Sequence, residues 1–224
     1  MFTDSPTELT TSVTDLLLAI QAFIAGITIA RLPDRRPMWT RVWAIFFGML
    51  CLASSLGAVV HGVQMASTFQ SAIWSSIYLV LGLLMAVFVV AALTMTWNHE
   101  LSRRSLPYLM ALAIAFFAVT QVWSDSFVLF ILYEGVSMVA ALALYTWCIF
   151  PRREQGAMFI AAGIVVGIIA AIVDSQSSLR VNFIWVFDNH GLFHVVQMIS
   201  LTLIIIGVHR SHGPKLCVKK GIEN

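Results

Sequence analysis

The stretch Asp188-Asn189-His190-Gly191-Leu192-Phe193-His194-Val195-Val196-Gln197 opens the last long apolar segment of the chain. Its two histidines are four residues apart, so on a helix they lie on one face, one turn above the other. This is the spacing with which a single helix offers two imidazoles to one metal ion. A third histidine, His61, ends another apolar segment. We therefore interpret the rest of the chain as the frame that brings these three side chains together.

The composition is that of an integral membrane protein. Hydrophobic residues make up 59% of the 224 residues and charged residues 11%, whereas a soluble domain carries about 25% charged residues. So little polar surface cannot cover a water-soluble globule. The net charge of +2 is too small to indicate a nucleic-acid partner. We therefore expect a lipid bilayer around the chain and no nucleic acid.

Seven apolar segments are marked in the sequence, and most reach the roughly 20 residues that cross a bilayer core. Because a backbone inside a membrane must satisfy its own hydrogen bonds, each is predicted to be a helix. Pro107 is expected in the first turn of the fourth helix, where proline is tolerated. Small residues are dense in the fifth and sixth helices and allow close helix packing. The prediction is an all-α integral membrane protein, a single domain over residues 1–224, with helices at residues 13–30, 39–62, 69–97, 106–123, 126–150, 156–173 and 189–208.

The connections between these segments alternate in charge. One side carries the acidic N-terminus, Asp125 and a loop with a single Arg180. By the positive-inside rule, the N-terminus is predicted outside and the C-terminus in the cytoplasm. Compact loops and the lack of a cleavable signal peptide favour a bacterial inner membrane. The basic residues of the other side are Arg31, Arg35, Arg36, Arg41, Arg103, Arg104, Arg152, Arg153, Arg210, Lys215, Lys219 and Lys220.

The connection at residues 174–188 is the longest one on the predicted outer side. Its middle contains Val181, Phe183, Ile184, Trp185 and Phe187 and is too apolar for a free loop. We predict that it lies in the membrane interface as an aromatic shelf over the site.

Ionisable residues inside membrane segments are rare and mark functional sites. Glu134 lies eight residues past Ser126, about 12 Å inside the membrane at the helical rise. The predicted inner half of the membrane segments has no comparable set of ionisable residues. For a single histidine at a helix end, interfacial hydrogen bonding is the alternative to a metal site. The residues that converge in the predicted outer half are His61, Glu134, Asp174, His190 and His194.

The chemistry of three neutral imidazoles favours Zn²⁺, because a fourth position stays open for water as in catalytic zinc sites. Zinc lowers the pKa of such a water to about 7. A nearby carboxylate would stabilise the formal +2 charge and could take the proton of the water. Glu134 and Asp174 are the candidates, while Asp188 is predicted to cap the N-terminus of the seventh helix.

These residues resemble the motifs of the CREST superfamily of seven-helix membrane hydrolases, which includes the alkaline ceramidases and the progestin and adiponectin receptor family. Members of that superfamily bind zinc through a histidine late in the second helix and an H-x3-H pair on the seventh. The matching residues here are His61, His190 and His194, and HGLFHVVQ is similar to the ceramidase motif. The resemblance implies zinc as cofactor, a membrane lipid as substrate, and hydrolysis of a lipid amide or ester.

Two positions depart from this pattern. The family has a serine four residues before the first histidine, where this chain has Gly57. Ser54, a further turn back on the same face, is a partial substitute. The family also has an aspartate near the start of the third helix, but no Asp or Glu occurs here between His61 and Glu100. The catalytic role is then expected of Glu134, Asp174 and Ser54, or the activity has been lost.

Three functions stay open at this point. The first is a zinc-dependent hydrolase of a membrane lipid. The second is a non-catalytic zinc-binding receptor or sensor on the same scaffold, which the two departures favour. The third is a haem-binding electron carrier, in which histidines from two helices ligate one haem. A retinal protein is disfavoured because no lysine occurs between Asn189 and Val208.

Overall fold

The computed structural model describes residues 1–32, 37–97, 99–123, 126–152 and 155–211. In these residues, as predicted, seven helices are long and apolar enough to cross a membrane. The helices are α1 (Pro6–Ala30), α2 (Pro37–Gly62), α3 (Ser67–Thr96), α4 (His99–Val122), α5 (Ser126–Arg152), α6 (Gln155–Asp174) and α7 (Asn189–Arg210).

Two helices, α1 and α4, begin seven residues earlier than predicted, at residue 6 instead of 13 and at residue 99 instead of 106. α1 begins at Pro6 because the Ser5 hydroxyl accepts a hydrogen bond from the Glu8 amide, and proline suits the first helical position. α4 begins at His99, so Pro107 lies inside the helix and the prediction that it occupies the first turn is wrong. Hydropathy marks the apolar part of a helix, whereas capping residues and polar turns extend the helix beyond it.

The fold is predominantly helical, as predicted, and the connection between α6 and α7 adds a small hairpin. Strand β1 (Arg180–Asn182) pairs antiparallel with β2 (Val186–Asp188). The apolar tip at residues 183–185 is exposed. β-branched and aromatic residues favour extended backbone, and the pairing satisfies polar groups that a free loop would leave open.

Six helices form a closed ring in the order α1, α2, α3, α5, α6, α7, with α7 returning to α1. α4 packs mainly on α3, outside this ring, and is the least buried span. Successive helices run in opposite directions, so the ends of α2 and α6 and the beginning of α7 lie together. We call this the cavity end, and the opposite end, which contains Trp43 and Tyr145, the packed end.

The packed end is filled by aromatic rings. Trp43 of α2 is fully buried. Its ring centre lies 5.3 Å from that of Phe46, 5.8 Å from Phe47 and 6.1 Å from Phe88 of α3. Aromatic contacts of this kind add to the free energy gained by burying apolar area. This cluster ties α2 to α3 below the cavity end.

Glycines bring α6 and α7 into close contact. A methyl group added at Gly207 would lie 2.7 Å from the backbone oxygen of Gly156. One added at Gly163 would lie 2.8 Å from the backbone oxygen of Ser200, and the Ser200 hydroxyl donates a 2.7 Å hydrogen bond to the Gly163 carbonyl. The prediction that small residues of the sixth helix allow close packing is therefore confirmed.

The orientation of the termini stays a prediction. Arg31 and Arg104 belong to the described residues, and both side chains are exposed. The other charges that carry the prediction and lie outside the described residues are Arg35, Arg36, Asp125, Arg153, Lys215, Lys219 and Lys220.

Candidate functional site

The helix ring encloses a cavity of about 920 Å³ that opens at the cavity end. Its deep wall is apolar and includes Phe46, Leu50 and Phe88, which belong to or adjoin the aromatic cluster. Its upper wall carries the ionisable side chains. The sequence-predicted site residues that line this one cavity are Ser54, His61, Glu134, Asp174, His190 and His194.

His61 is held by a carboxylate from α1. Its Nδ1–H donates a 2.6 Å hydrogen bond to Oε2 of Glu8, and the edge of Trp74 packs against its ring at 5.5 Å between centres. Backbone hydrogen bonds from Thr3 to Gly62 and from Gln64 to Met1 tie the first residues of the chain to this end of α2. Glu8 is thereby fixed over His61.

His190 is held by a carboxylate from α6. Its Nδ1–H donates a 2.6 Å hydrogen bond to Oδ1 of Asp174. Asp188 accepts a 2.9 Å bond from the Gly191 amide, which confirms the predicted cap and sets the start of α7. The ring centres of His61 and His190 are 6.2 Å apart.

His194, one turn further along α7, is buried against α1. The Thr14 hydroxyl donates to the backbone oxygens of Thr11 at 2.9 Å and Thr10 at 3.1 Å. Thr14 Oγ1 also lies 3.1 Å from Nδ1 of His194, and it accepts this bond in the tautomer that has its proton on Nδ1. All three histidines therefore have Nδ1 on an oxygen, the arrangement by which metal-binding imidazoles are oriented through their second nitrogen.

Sequence reasoning missed Asp15, a buried carboxylate of α1. Its Oδ1 lies 3.3 Å from Nε2 of His194. A methyl group added at Gly57 would lie 2.5 Å from Asp15 Oδ2 and 2.9 Å from its Cγ. Gly57 therefore makes room for this carboxylate.

A signal for Asp15 was present in the sequence. It lies two residues inside the predicted first helix, and an ionisable residue there indicates a functional site by the rule that selected Glu134. Glu8 was noted only as part of an acidic terminus, because α1 was predicted to begin at residue 13. Thr14 carries no signal of its own, since threonine is common in helices.

Glu134 and Ser54 also line the cavity. Both side chains are buried. Glu134 makes neither a hydrogen bond nor an ion pair with any residue that the structure describes. The neighbouring Ser55 donates its hydroxyl to the Cys51 carbonyl at 2.7 Å, so Ser54 is the hydroxyl of this pair that faces the cavity.

The donor set fits zinc in its chemistry but is only partly assembled for it. Among the described side chains, no group of three His, Cys, Asp or Glu is arranged around one point as a metal site. The 6.2 Å between the ring centres of His61 and His190 exceeds the about 5 Å expected for two imidazoles on one tetrahedral zinc. Holding zinc would require these two rings to close toward His194.

Comparison with known proteins gives one match. A model described as a family of unknown function, DUF6962, matches residues 10–212. This segment contains Asp15, Glu134, Asp174 and the three histidines. No curated protein and no solved structure matches the chain. Because the match covers nearly the whole chain, the protein belongs to the DUF6962 family.

Proposed function

We propose that the protein is a zinc-dependent intramembrane hydrolase of a lipid amide or ester, similar to the ceramidases of the CREST superfamily. The observation that carries the proposal is one cavity with three histidines at its upper wall, each with Nδ1 held by an oxygen, and an apolar floor. His61, His190 and His194 would hold the metal. The ordered imidazoles favour metal ligation over simple interfacial hydrogen bonding.

The cavity has the chemistry of a site for a lipid with a polar carbonyl and a hydrocarbon chain. Its lower wall of Leu50, Phe88 and Leu201 suits an acyl chain. Its volume of about 920 Å³ lies in the range of ligand sites, roughly 300–1,000 Å³. The substrate carbonyl would then lie at the level of the histidines.

Zinc held by imidazoles supplies polarisation of an acyl carbonyl and activation of water near pH 7. The chain's own residues divide the remaining work. Asp174 accepts the Nδ1–H of His190 and orients that ring. Glu134 is unpaired among the described side chains, which makes it the better general base for the attacking water. The Ser54 hydroxyl would donate to the carbonyl oxygen.

The same proposal includes the orientation of the protein in its membrane and the type of membrane. The basic connections at the packed end favour a cytoplasmic position for that end by the positive-inside rule, so the N-terminus and the cavity end would face outside. A bacterial inner membrane is the setting that the compact loops favour. The aromatic tip of the hairpin, residues 183–185, would lie in the outer interface beside the cavity.

A second candidate is a non-catalytic zinc-binding receptor or sensor on this scaffold. Gly57 in place of the family's serine favours it, as does the absence of any acidic residue between His61 and Glu100. This candidate requires bound zinc without turnover of any lipid amide or ester.

Turnover assays on purified protein separate the two candidates. Lipid amides of the ceramide type and matched esters are tested with wild type, Glu134→Gln, and Glu100→Gln as the control. Glu100 is exposed and pairs with Arg104 away from the cavity. The hydrolase proposal expects turnover in wild type and control and about a 100-fold or larger loss in Glu134→Gln. Zinc-loaded protein without turnover would select the sensor, and undiminished turnover in Glu134→Gln would remove that residue as the base.

A further inference from the structure

We propose that Asp15 of α1 is a fourth, anionic ligand of the metal, in addition to His61, His190 and His194. This inference rests on the zinc site proposed above and deepens it. The resemblance to known hydrolases does not supply this residue, because their aspartate belongs to the third helix and this one comes from the first.

The contact between Asp15 and His194 is longer than the contacts of the other two pairs of a histidine and a carboxylate, and it has the spacing of two ligands of one metal ion. Oδ1 and Nε2 are 3.3 Å apart. Two donor atoms at about 2.0–2.1 Å from one tetrahedral zinc lie about 3.3–3.4 Å from each other. The pairs Glu8–His61 and Asp174–His190, by contrast, are both 2.6 Å hydrogen bonds.

The proton positions point the same way. In the neutral tautomer with its proton on Nδ1, which donates to Thr14, the ring presents the lone pair of Nε2 to Asp15. A carboxylate oxygen also presents lone pairs. Two such atoms face each other favourably when a cation lies between them, and zinc is the cation that imidazole and carboxylate oxygen share as a ligand set.

Burial adds an energetic reason. Asp15 is 5% exposed and His194 is 8% exposed. An isolated carboxylate at such a site is costly in free energy. Among the described residues, no lysine or arginine forms an ion pair with Asp15. A divalent cation bound to three neutral imidazoles would carry +2, and Asp15 would reduce this to +1 while its own charge is compensated.

Gly57 supports the inference from the opposite side of the carboxylate. The carboxylate of Asp15 fills the space where any other residue at position 57 would place its Cβ. The position of the Asp15 carboxylate therefore depends on the absence of a side chain at Gly57. Asp15 and His194 already have the spacing of two ligands of one metal ion. The rings of His61 and His190 would have to move closer together to bind the same ion.

A four-ligand shell bears on the choice between the two functions. Closed shells of four protein ligands are typical of structural zinc sites, whereas catalytic sites keep a position for water or expand to five ligands. A hydrolase with Asp15 as the fourth ligand would need a fifth coordination position for water. A sensor would not need this position.

The experiment measures zinc affinity by competition with a chromogenic chelator, and the visible spectrum after loading with Co²⁺. The full chain in detergent is compared with Asp15→Asn, Gly57→Ala, and Glu100→Gln as the control. The control changes an exposed carboxylate that pairs with Arg104 away from the cavity. We expect about a 100-fold weaker zinc affinity and a changed Co²⁺ spectrum in Asp15→Asn. Gly57→Ala should act in the same direction because it displaces the carboxylate, and Glu100→Gln should stay within about twofold of the wild-type zinc affinity.

The outcomes separate the two proposals. Zinc bound equally well by wild type and Asp15→Asn, with one Co²⁺ spectrum, overturns the role of Asp15 and leaves the histidine site standing. Wild-type protein that binds neither metal overturns both. If Asp15→Asn does not fold, Gly57→Ala decides, because it keeps the carboxylate and adds a single methyl group.

Discussion

The two ends of the helix ring are built in opposite ways. At the packed end, aromatic rings and close glycine contacts fill the space between helices. At the cavity end, the same helices separate around about 920 Å³ and present three pairs of a histidine and a carboxylate. Apolar burial contributes strongly to stability, whereas buried ion pairs contribute little because of their desolvation. The difference assigns the stability of the fold to the packed end and leaves the cavity end as the candidate functional site.

The comparison predicts that Trp43→Ala lowers stability more than any change at the cavity end. Removing this fully buried ring from its aromatic cluster should cost about 3–5 kcal/mol. Thermal unfolding in detergent measures the effect, with Trp147→Ala as the control, because Trp147 is 68% exposed on α5. Equal melting temperatures for the two variants would contradict the assignment of the fold's stability to the packed end.

Gly207→Ala is expected to have the next largest effect. The added methyl group would lie 2.7 Å from the backbone oxygen of Gly156, so α6 and α7 must move apart at a cost of about 1–3 kcal/mol. Gly135→Ala is the matched control, since nothing lies within 4 Å of a methyl group there. If Gly207→Ala melts at or above the temperature of Gly135→Ala, the close packing of these helices does not stabilise the protein.

At the cavity end, Glu8→Gln should change metal binding rather than stability. The amide keeps the shape of the side chain but removes the charge that holds His61 Nδ1–H at 2.6 Å. We expect about 10- to 100-fold weaker zinc affinity and a nearly unchanged melting temperature of the metal-free protein. Glu100→Gln, which changes an exposed pair with Arg104, should alter neither quantity. A large loss of stability in Glu8→Gln would show that this pair is structural.

The smallest effect is expected for Thr14→Val, which removes the oxygen that orients His194. A single neutral hydrogen bond contributes about 0.5–1.5 kcal/mol, so zinc affinity should fall by up to about tenfold. Thr28→Val is the control on the same helix, because the Thr28 hydroxyl donates only to the Ala25 carbonyl. Identical affinities in the two variants would leave His194 oriented by packing alone.

The seven helices could be predicted from hydropathy because a membrane span needs about 20 apolar residues. The same rule could not find where α1 and α4 begin, since Ser5 and the polar first turns of α4 lie outside the apolar pattern. Nor could it predict the hairpin after α6, which depends on pairing between Arg180 and Asp188. Helix ends are set by capping and local pairing rather than by hydrophobicity.

The sequence could predict at which end of the helix bundle the site residues lie, but not which side chains contact each other. Alternating helix directions put His61, Asp174 and His190 at one end, and the structure lines one cavity with them. Which carboxylate meets which histidine depends on the order of helices around the ring. The sequence carries no direct signal that α7 packs against α1, so the contact of Asp15 with His194 was not foreseen.

The most direct test of the account is the zinc content of the purified wild-type protein beside His194→Ala, measured by elemental analysis. The account predicts about one zinc per chain in the wild type and none in the variant. Wild-type protein without zinc would contradict the central claim and return the three histidines to hydrogen bonding with Glu8, Asp174 and Thr14.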